Sequence, residues 1–222
     1  MGGITDILRG LDWSILLSVP PILICLTIHE LAHGAMALAM GDDTAKQMGR
    51  LTLNPIKHID PIGLLMLLVV RFGWAKPVPV DMRKFRRPKF GMAVVALAGS
   101  ISNFLLAALI LLFQVPIIRL LHGGEGVGYV VADMLMLTAR ISVFLGVFNL
   151  LPVPPLDGSK VVFSILPNAQ HNLLMRYERY GFILLIVLML TGVVMGPLMN
   201  VMNAVFRWII WIMHGPSAFF FM

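Results

Sequence analysis

From Phe90 to Leu120 the chain carries a single charged side chain, Arg119, almost at its end. A stretch this apolar has one stable home. In hydrocarbon the backbone N–H and C=O groups have no water to pair with, so they must pair with one another as a helix, and about 20 residues suffice to cross. Stretches of similar character run from about Trp13 to Met40 and from about Tyr129 to Leu151. A last apolar block, about Tyr180 to Met213, is interrupted at Gly196-Pro197, and reads either as one kinked span with an interfacial tail or as a tight hairpin of two short ones. Composition agrees. Of 222 residues, 59% are hydrophobic and 13% charged, against about a quarter charged in a soluble domain. An integral membrane protein with several spans is expected.

The pieces between the spans are also informative. Pro20-Pro21 suggests that the first helix proper starts there, since proline is tolerated in a first turn, and Gly41-Asp42-Asp43 ends it. Residues Met48 to Pro55 alternate weakly, as in a short strand or hairpin arm. Ile62 to Val70 is too short to span and reads as a re-entrant or interfacial segment. Phe72 to Val80 is too rich in proline for a helix and reads as extended chain. Placing residues 42–89 and 159–179 on one side of the membrane gathers Lys46, Arg50, Lys57, Arg71, Lys76, Arg83, Lys84, Arg86, Arg87, Lys89, Lys160, Arg176 and Arg179 there. Only Arg9, Arg119, Arg140 and Arg207 remain elsewhere, so that side is expected to be cytoplasmic. The net charge of +6 is thereby explained without nucleic acid. The first apolar stretch is too long for a signal-peptide core and has only Arg9 before it, so no cleavable leader is expected.

Within the first span lies His29-Glu30-Leu31-Ala32-His33. On a helix, positions four apart share a face, so both imidazoles can grip one metal ion. Glu30 is placed beside them to take a proton from a metal-bound water. Ionisable groups inside a membrane helix are costly and mark function. Zinc is the expected metal, because two imidazoles and a carboxylate leave a fourth position for water. Far downstream, prolines 152, 154 and 155 break the third span just before Asp157. On the expected topology Asp157 and the His pair lie at the same, cytoplasmic, end of their helices.

The pairing of H-E-x-x-H in a membrane helix with Asn149, Pro152, Pro154, Leu156, Asp157 and Gly158 resembles the site-2 protease family of intramembrane zinc metalloproteases. Gly99 to Asn103 resembles the family's small-residue and asparagine motif, so the likeness covers roughly Leu26 to Lys160. The resemblance implies an all-α polytopic fold forming one protease domain over residues 1–222, with a three-helix catalytic core at about 13–160, accessory C-terminal helices at about 180–213 and a short cytoplasmic-side re-entrant or β-like segment. It implies one zinc per chain on His29, His33 and Asp157, with Glu30 as general base. Asn149 and Asn103 would contact the substrate backbone or the oxyanion. The substrates would be single-span or other transmembrane proteins, cut within the bilayer. The location would be a bacterial or archaeal cell membrane, with the active site open to the cytoplasm. The loop from Leu121 to Gly128 has no room for the PDZ domain that many members carry, so this is the minimal type.

Two other readings compete. A membrane metal carrier or sensor could use the same ligands, but it has little use for Glu30, and the chain shows no internal repeat. A non-proteolytic binding module on the same fold would not need a complete site. Elsewhere, Cys25 suggests a structural or supporting role, and Asp133 with Arg140 a structural pair. His58, His122, His171 and His214 read as interfacial or structural, Glu125 and Glu178 as solvated, and Trp208 and Trp211 as an interfacial belt. The basic loop from Asp81 to Lys89 reads as a solvated cytoplasmic loop, with binding of anionic lipid headgroups as a lesser alternative.

Overall fold

A computed structural model describes residues 13–70, 73–121, 126–167 and 180–215. The chain start, Arg71, His122, Glu125, His171, Arg176, Glu178 and Arg179 lie outside these residues. The fold is all-α. Helix α1 (Trp13–Ala39) is followed by the short α2 (Thr44–Gln47), α3 (Pro61–Val70), the long α4 (Pro88–Leu120), α5 (Val127–Asn149) and α6 (Asp157–Ile165). Helix α7 (Tyr180–Leu190) and α8 (Met195–His214) close the described chain. Three helices are long and apolar enough to cross a membrane, at Leu17–Ala39, Pro88–Ile118 and Gly128–Asn149, with the bent pair α7 and α8 as a possible fourth crossing. The chain is therefore a multi-pass membrane protein.

The three spans pack on one another: α4 touches both α1 and α5, and α1 also reaches α5. Helix α1 turns one stripe inward, with Pro21, Cys25, His29, His33 and Ala37 all buried at intervals of four. Small residues let the helices approach closely, as at Ala107 and Ala139, both fully buried. Two buried hydrogen bonds tie the spans: Cys25 Sγ donates to the Thr138 carbonyl at 3.5 Å, and Ser142 Oγ to the Asn103 carbonyl at 2.7 Å. The outer faces remain apolar, with Ile24, Leu105, Leu109 and Phe113 exposed. In water such a surface would aggregate; here it meets lipid.

Several expectations change. Helix α1 does not begin at Pro20-Pro21 but runs through both from Trp13. The carbonyls that lose their partners, of Leu16 and Leu17, fall in its first turns, near the water boundary. Residues 48–55 form no strand; they turn and lead into a 3₁₀ turn at Pro55–His58. The re-entrant segment is a ten-residue helix, α3, whose return chain meets it backbone to backbone: a Cβ on Gly63 would lie 2.1 Å from the Trp74 carbonyl oxygen. One antiparallel bridge, Ile59 to Ala75, is the only β-type pairing among the described residues. The final block breaks not at Gly196-Pro197 but between α7 and α8, which meet at 86°. Gly192 there takes φ 70°, a left-handed conformation that favours glycine. Asp133 and Arg140 form no ion pair; the Arg140 guanidinium instead lies 5.7 Å over the Phe206 ring of α8.

A polar knot holds the end of α1 to the return chain. Asp42 is fully buried and accepts from Thr44 N at 2.9 Å, from the Thr44 hydroxyl and from Asp81 N at 2.6 Å. Lys84 stands 3.7 Å from Asp42 and 2.6 Å from Asp43. Burial pushes the Asp42 carboxyl up, but the bonds from Thr44 and Asp81 and the Lys84 charge outweigh it and hold it below the usual carboxylate range. Asp42→Ala should cost about 1–3 kcal/mol by leaving these donors unpaired, read as a lowered unfolding temperature in detergent. A carboxyl depressed on folding contributes stability that is full above its unfolded pKa, about 3.9, and is lost as pH falls through the lower folded value. The gap between wild type and variant should therefore narrow well below pH 4; a gap that does not narrow would assign the effect to packing alone.

Candidate metal centre

The inward stripe of α1 brings His29 and His33 to the bundle interior, one turn apart. Asp157 arrives from the other end of the chain as the first residue of α6, where a helix N-terminus favours a carboxylate. The chain between Asn149 and Asp157 cannot stay helical through Pro152, Pro154 and Pro155, and this break turns Asp157 back towards α1. The result is a triangle of donor atoms. His29 Nε2 lies 3.1 Å and His33 Nε2 3.0 Å from Asp157 Oδ2, and the two imidazole nitrogens are 2.9 Å apart. All three residues are buried.

This set fits zinc. Tetrahedral zinc with nitrogen and oxygen ligands at 2.0–2.2 Å keeps them about 3.3–3.5 Å apart, a few tenths wider than the observed edges. His33 Nδ1 sits 2.7 Å from the Val95 carbonyl oxygen. It must donate there, so Nε2 keeps its lone pair. Lys160 Nζ donates to Asp157 Oδ1 at 2.9 Å, leaving Oδ2 to face the histidines. The Lys160 ammonium at 2.9 Å favours the ionised carboxylate that a ligand must be. Zinc would therefore be held by His29, His33 and Asp157.

Glu30 and Asn149 line the same cavity of about 310 Å³, together with Val78. Val78 N donates to Glu30 Oε2 at 2.8 Å. Asn149 Nδ2 spends one hydrogen on the Leu145 carbonyl at 3.0 Å. Asn103 is not where the resemblance implied. It is fully buried behind His29, its carboxamide 3.3 Å from His29 Nδ1, and does not line the cavity. His58 is also structural, its Nε2 donating to the Thr52 carbonyl at 2.9 Å. Lys160 was read in the sequence only as a cytoplasmic-side cation, although its place three residues after Asp157 on a helix was a readable signal of their contact. The Val78 and Val95 contacts are made by backbone and leave no trace in residue identity. A larger groove of about 640 Å³ between α4, α5 and α8 is lined by residues such as Phe104, Val147 and Trp208, and offers no group for chemistry.

Gly99 sets the room for the centre. A Cβ there would stand 2.5 Å from His33 Cε1 and 2.6 Å from His29 Cε1. Both rings would have to shift from their present positions. Gly99→Ala should leave the fold intact and weaken zinc binding by about 10–100-fold, as for other disturbances around a ligand, measured by chelator competition. Unchanged affinity would mean that the rings are not held in place by this contact.

The sequence profile described as Peptidase family M50 matches residues 115–192. "Putative zinc metalloprotease YwhC" of Bacillus subtilis is 38% identical over 187 residues, which are 81% of this chain and 84% of that protein. "Putative zinc metalloprotease Rip2" of Mycolicibacterium smegmatis is 30% identical over 173 residues, 76% of this chain and 64% of that one. Its namesake from Mycobacterium tuberculosis is 29% identical over 178 residues and is covered to 66%. The chain thus spans about two thirds of the Rip2 proteins. No solved structure matches. The extent of the likeness to YwhC, with a donor triangle suited to zinc, leads to one conclusion: this chain belongs to peptidase family M50, the site-2 protease family, and is a membrane zinc metalloprotease.

Proposed function

We propose that the chain hydrolyses peptide bonds within transmembrane segments of membrane proteins, single-span proteins among them, and that its 222 residues act as one protease domain. The observation that carries this reading is the placing of three zinc-ligating atoms within 3.1 Å of one another, beside a carboxylate, in the interior of a membrane helix bundle. His29, His33 and Asp157 would hold one zinc. Zinc supplies Lewis acidity: it acidifies water and polarises a scissile carbonyl.

The protein's own groups do the rest. Glu30 takes the proton of the attacking water and returns it to the leaving amine nitrogen as the C–N bond breaks. The Val78 N–H holds one Glu30 oxygen, which leaves the other for the water. Asn149 donates its second amide hydrogen to the carbonyl oxygen as it gains charge. The substrate helix must unwind locally, because its carbonyls are otherwise hydrogen-bonded within the helix. Water reaches the cavity from the end of the bundle that carries residues such as Lys46, Arg50, Lys84 and Arg87, which the positive-inside rule places in the cytoplasm. The basic loop there contacts membrane lipid.

The test is cleavage of a tagged single-span substrate in liposomes. Glu30→Gln should keep one zinc per chain and lose about 10²–10⁴-fold in rate, the range of general acid–base catalysis. A chelator should abolish cleavage by the wild type. Full activity in Glu30→Gln would sink the general-base role. Stoichiometric zinc with no cleavage of any single-span substrate would favour a metal carrier.

A further inference from the structure

The two imidazoles are held from behind in different ways. His33 Nδ1 faces a backbone carbonyl, that of Val95, at 2.7 Å. A carbonyl accepts and cannot donate, so it enforces the tautomer with the proton on Nδ1. His29 Nδ1 faces a side chain instead, the carboxamide of Asn103 at 3.3 Å. Asn103 is fully buried, and its backbone carbonyl is pinned by Ser142 Oγ at 2.7 Å. The Gly99 to Asn103 spacing explains how one helix reaches both places. Residues four apart lie one above the other, so Gly99 clears room for the rings while Asn103, one turn on, meets the back of His29.

We propose that Asn103 is a positioning residue for the metal centre: its amide oxygen accepts the Nδ1 proton of His29 and so presents the Nε2 lone pair to zinc. This rests on the reading of His29 as a zinc ligand. With the amide nitrogen towards Nδ1, the ring proton would be forced onto Nε2, the atom that must coordinate. Exchange of the amide's nitrogen and oxygen, which fill nearly the same space, removes that conflict. The exchange breaks no bond of Oδ1, a buried acceptor that has no partner in the present orientation, and gives it one. An asparagine at this depth also supplies the acceptor without a second buried negative charge beside Asp157.

The experiment uses the full chain purified in detergent, with zinc itself as the probe. Two variants of nearly equal size are compared: Asn103→Asp, which keeps the acceptor, and Asn103→Leu, which keeps only the volume. Asn103→Leu should bind zinc about 10–100-fold more weakly, the usual cost of losing the partner of a ligand histidine, and its cleavage should recover as free zinc is raised. Asn103→Asp should bind at least as well as wild type. Nitrogen-15 spectra of the zinc-loaded wild type should show the His29 proton on Nδ1. Wild-type affinity in Asn103→Leu, or a folded Asn103→Asp as weak as Asn103→Leu, would overturn the proposal. So would a proton absent from Nδ1, a readout independent of whether Asn103→Leu folds. His29→Ala is the control that separates the two readings. If it binds zinc like wild type, the ligand assignment has failed; if it loses zinc while Asn103→Leu does not, only the role of Asn103 has failed.

Discussion

Three polar atoms, two imidazole nitrogens and one carboxylate oxygen, meet within 3.1 Å inside an apolar helix bundle. Each would be costly to bury alone. Together they form a donor set that a zinc ion would satisfy, and much of the structure serves to hold them so. The i, i+4 stripe of α1 supplies the imidazoles, the proline break after α5 supplies the carboxylate, and Gly99 leaves the space in which all three meet. Behind the donors stand further partners, Val95 for His33 and Lys160 for Asp157. These fix orientation where packing alone would not.

The cavity wall opposite the donors is made by chain that crosses no membrane. Pro77 and Pro79 have no N–H to offer. Between them the Val78 N–H is the available donor, and it is spent on Glu30. This segment keeps its position because the Asp42 knot ties it to the end of α1 and because Arg50 Nη2 donates to the Lys76 carbonyl at 2.8 Å. A non-helical segment thus reaches a carboxylate on a spanning helix and is itself held by polar contacts. The chain does this without a regulatory domain between α4 and α5: α4 ends at Leu120 and α5 starts at Val127.

What was legible in the sequence follows the range of the physics. The three spans could be read because hydrocarbon imposes its length and its apolarity on each segment separately. His29, Glu30 and His33 could be read because residues four apart on a helix share a face wherever the helix ends up. Even so, the local rules misplaced the start of α1 and the bend before α8. Proline near a helix start is tolerated when its orphaned carbonyls reach water, and the bend was taken at Gly192 rather than at Gly196-Pro197.

Asn103 marks the boundary most clearly. As a letter in a motif it suggested a substrate contact; its helix face, set by the packing of α4 on α1 and α5, turns it instead to the back of His29. Lys160 and Val78 likewise owe their roles to where α6 and the return chain dock. The sequence by itself determined the membrane class, the spans and the imidazole pair, because these depend on local periodicity and on the solvent each segment must enter. Only the tertiary structure decided which groups stand behind and beside the donors, because those contacts join residues far apart in the chain, and no local spacing records them.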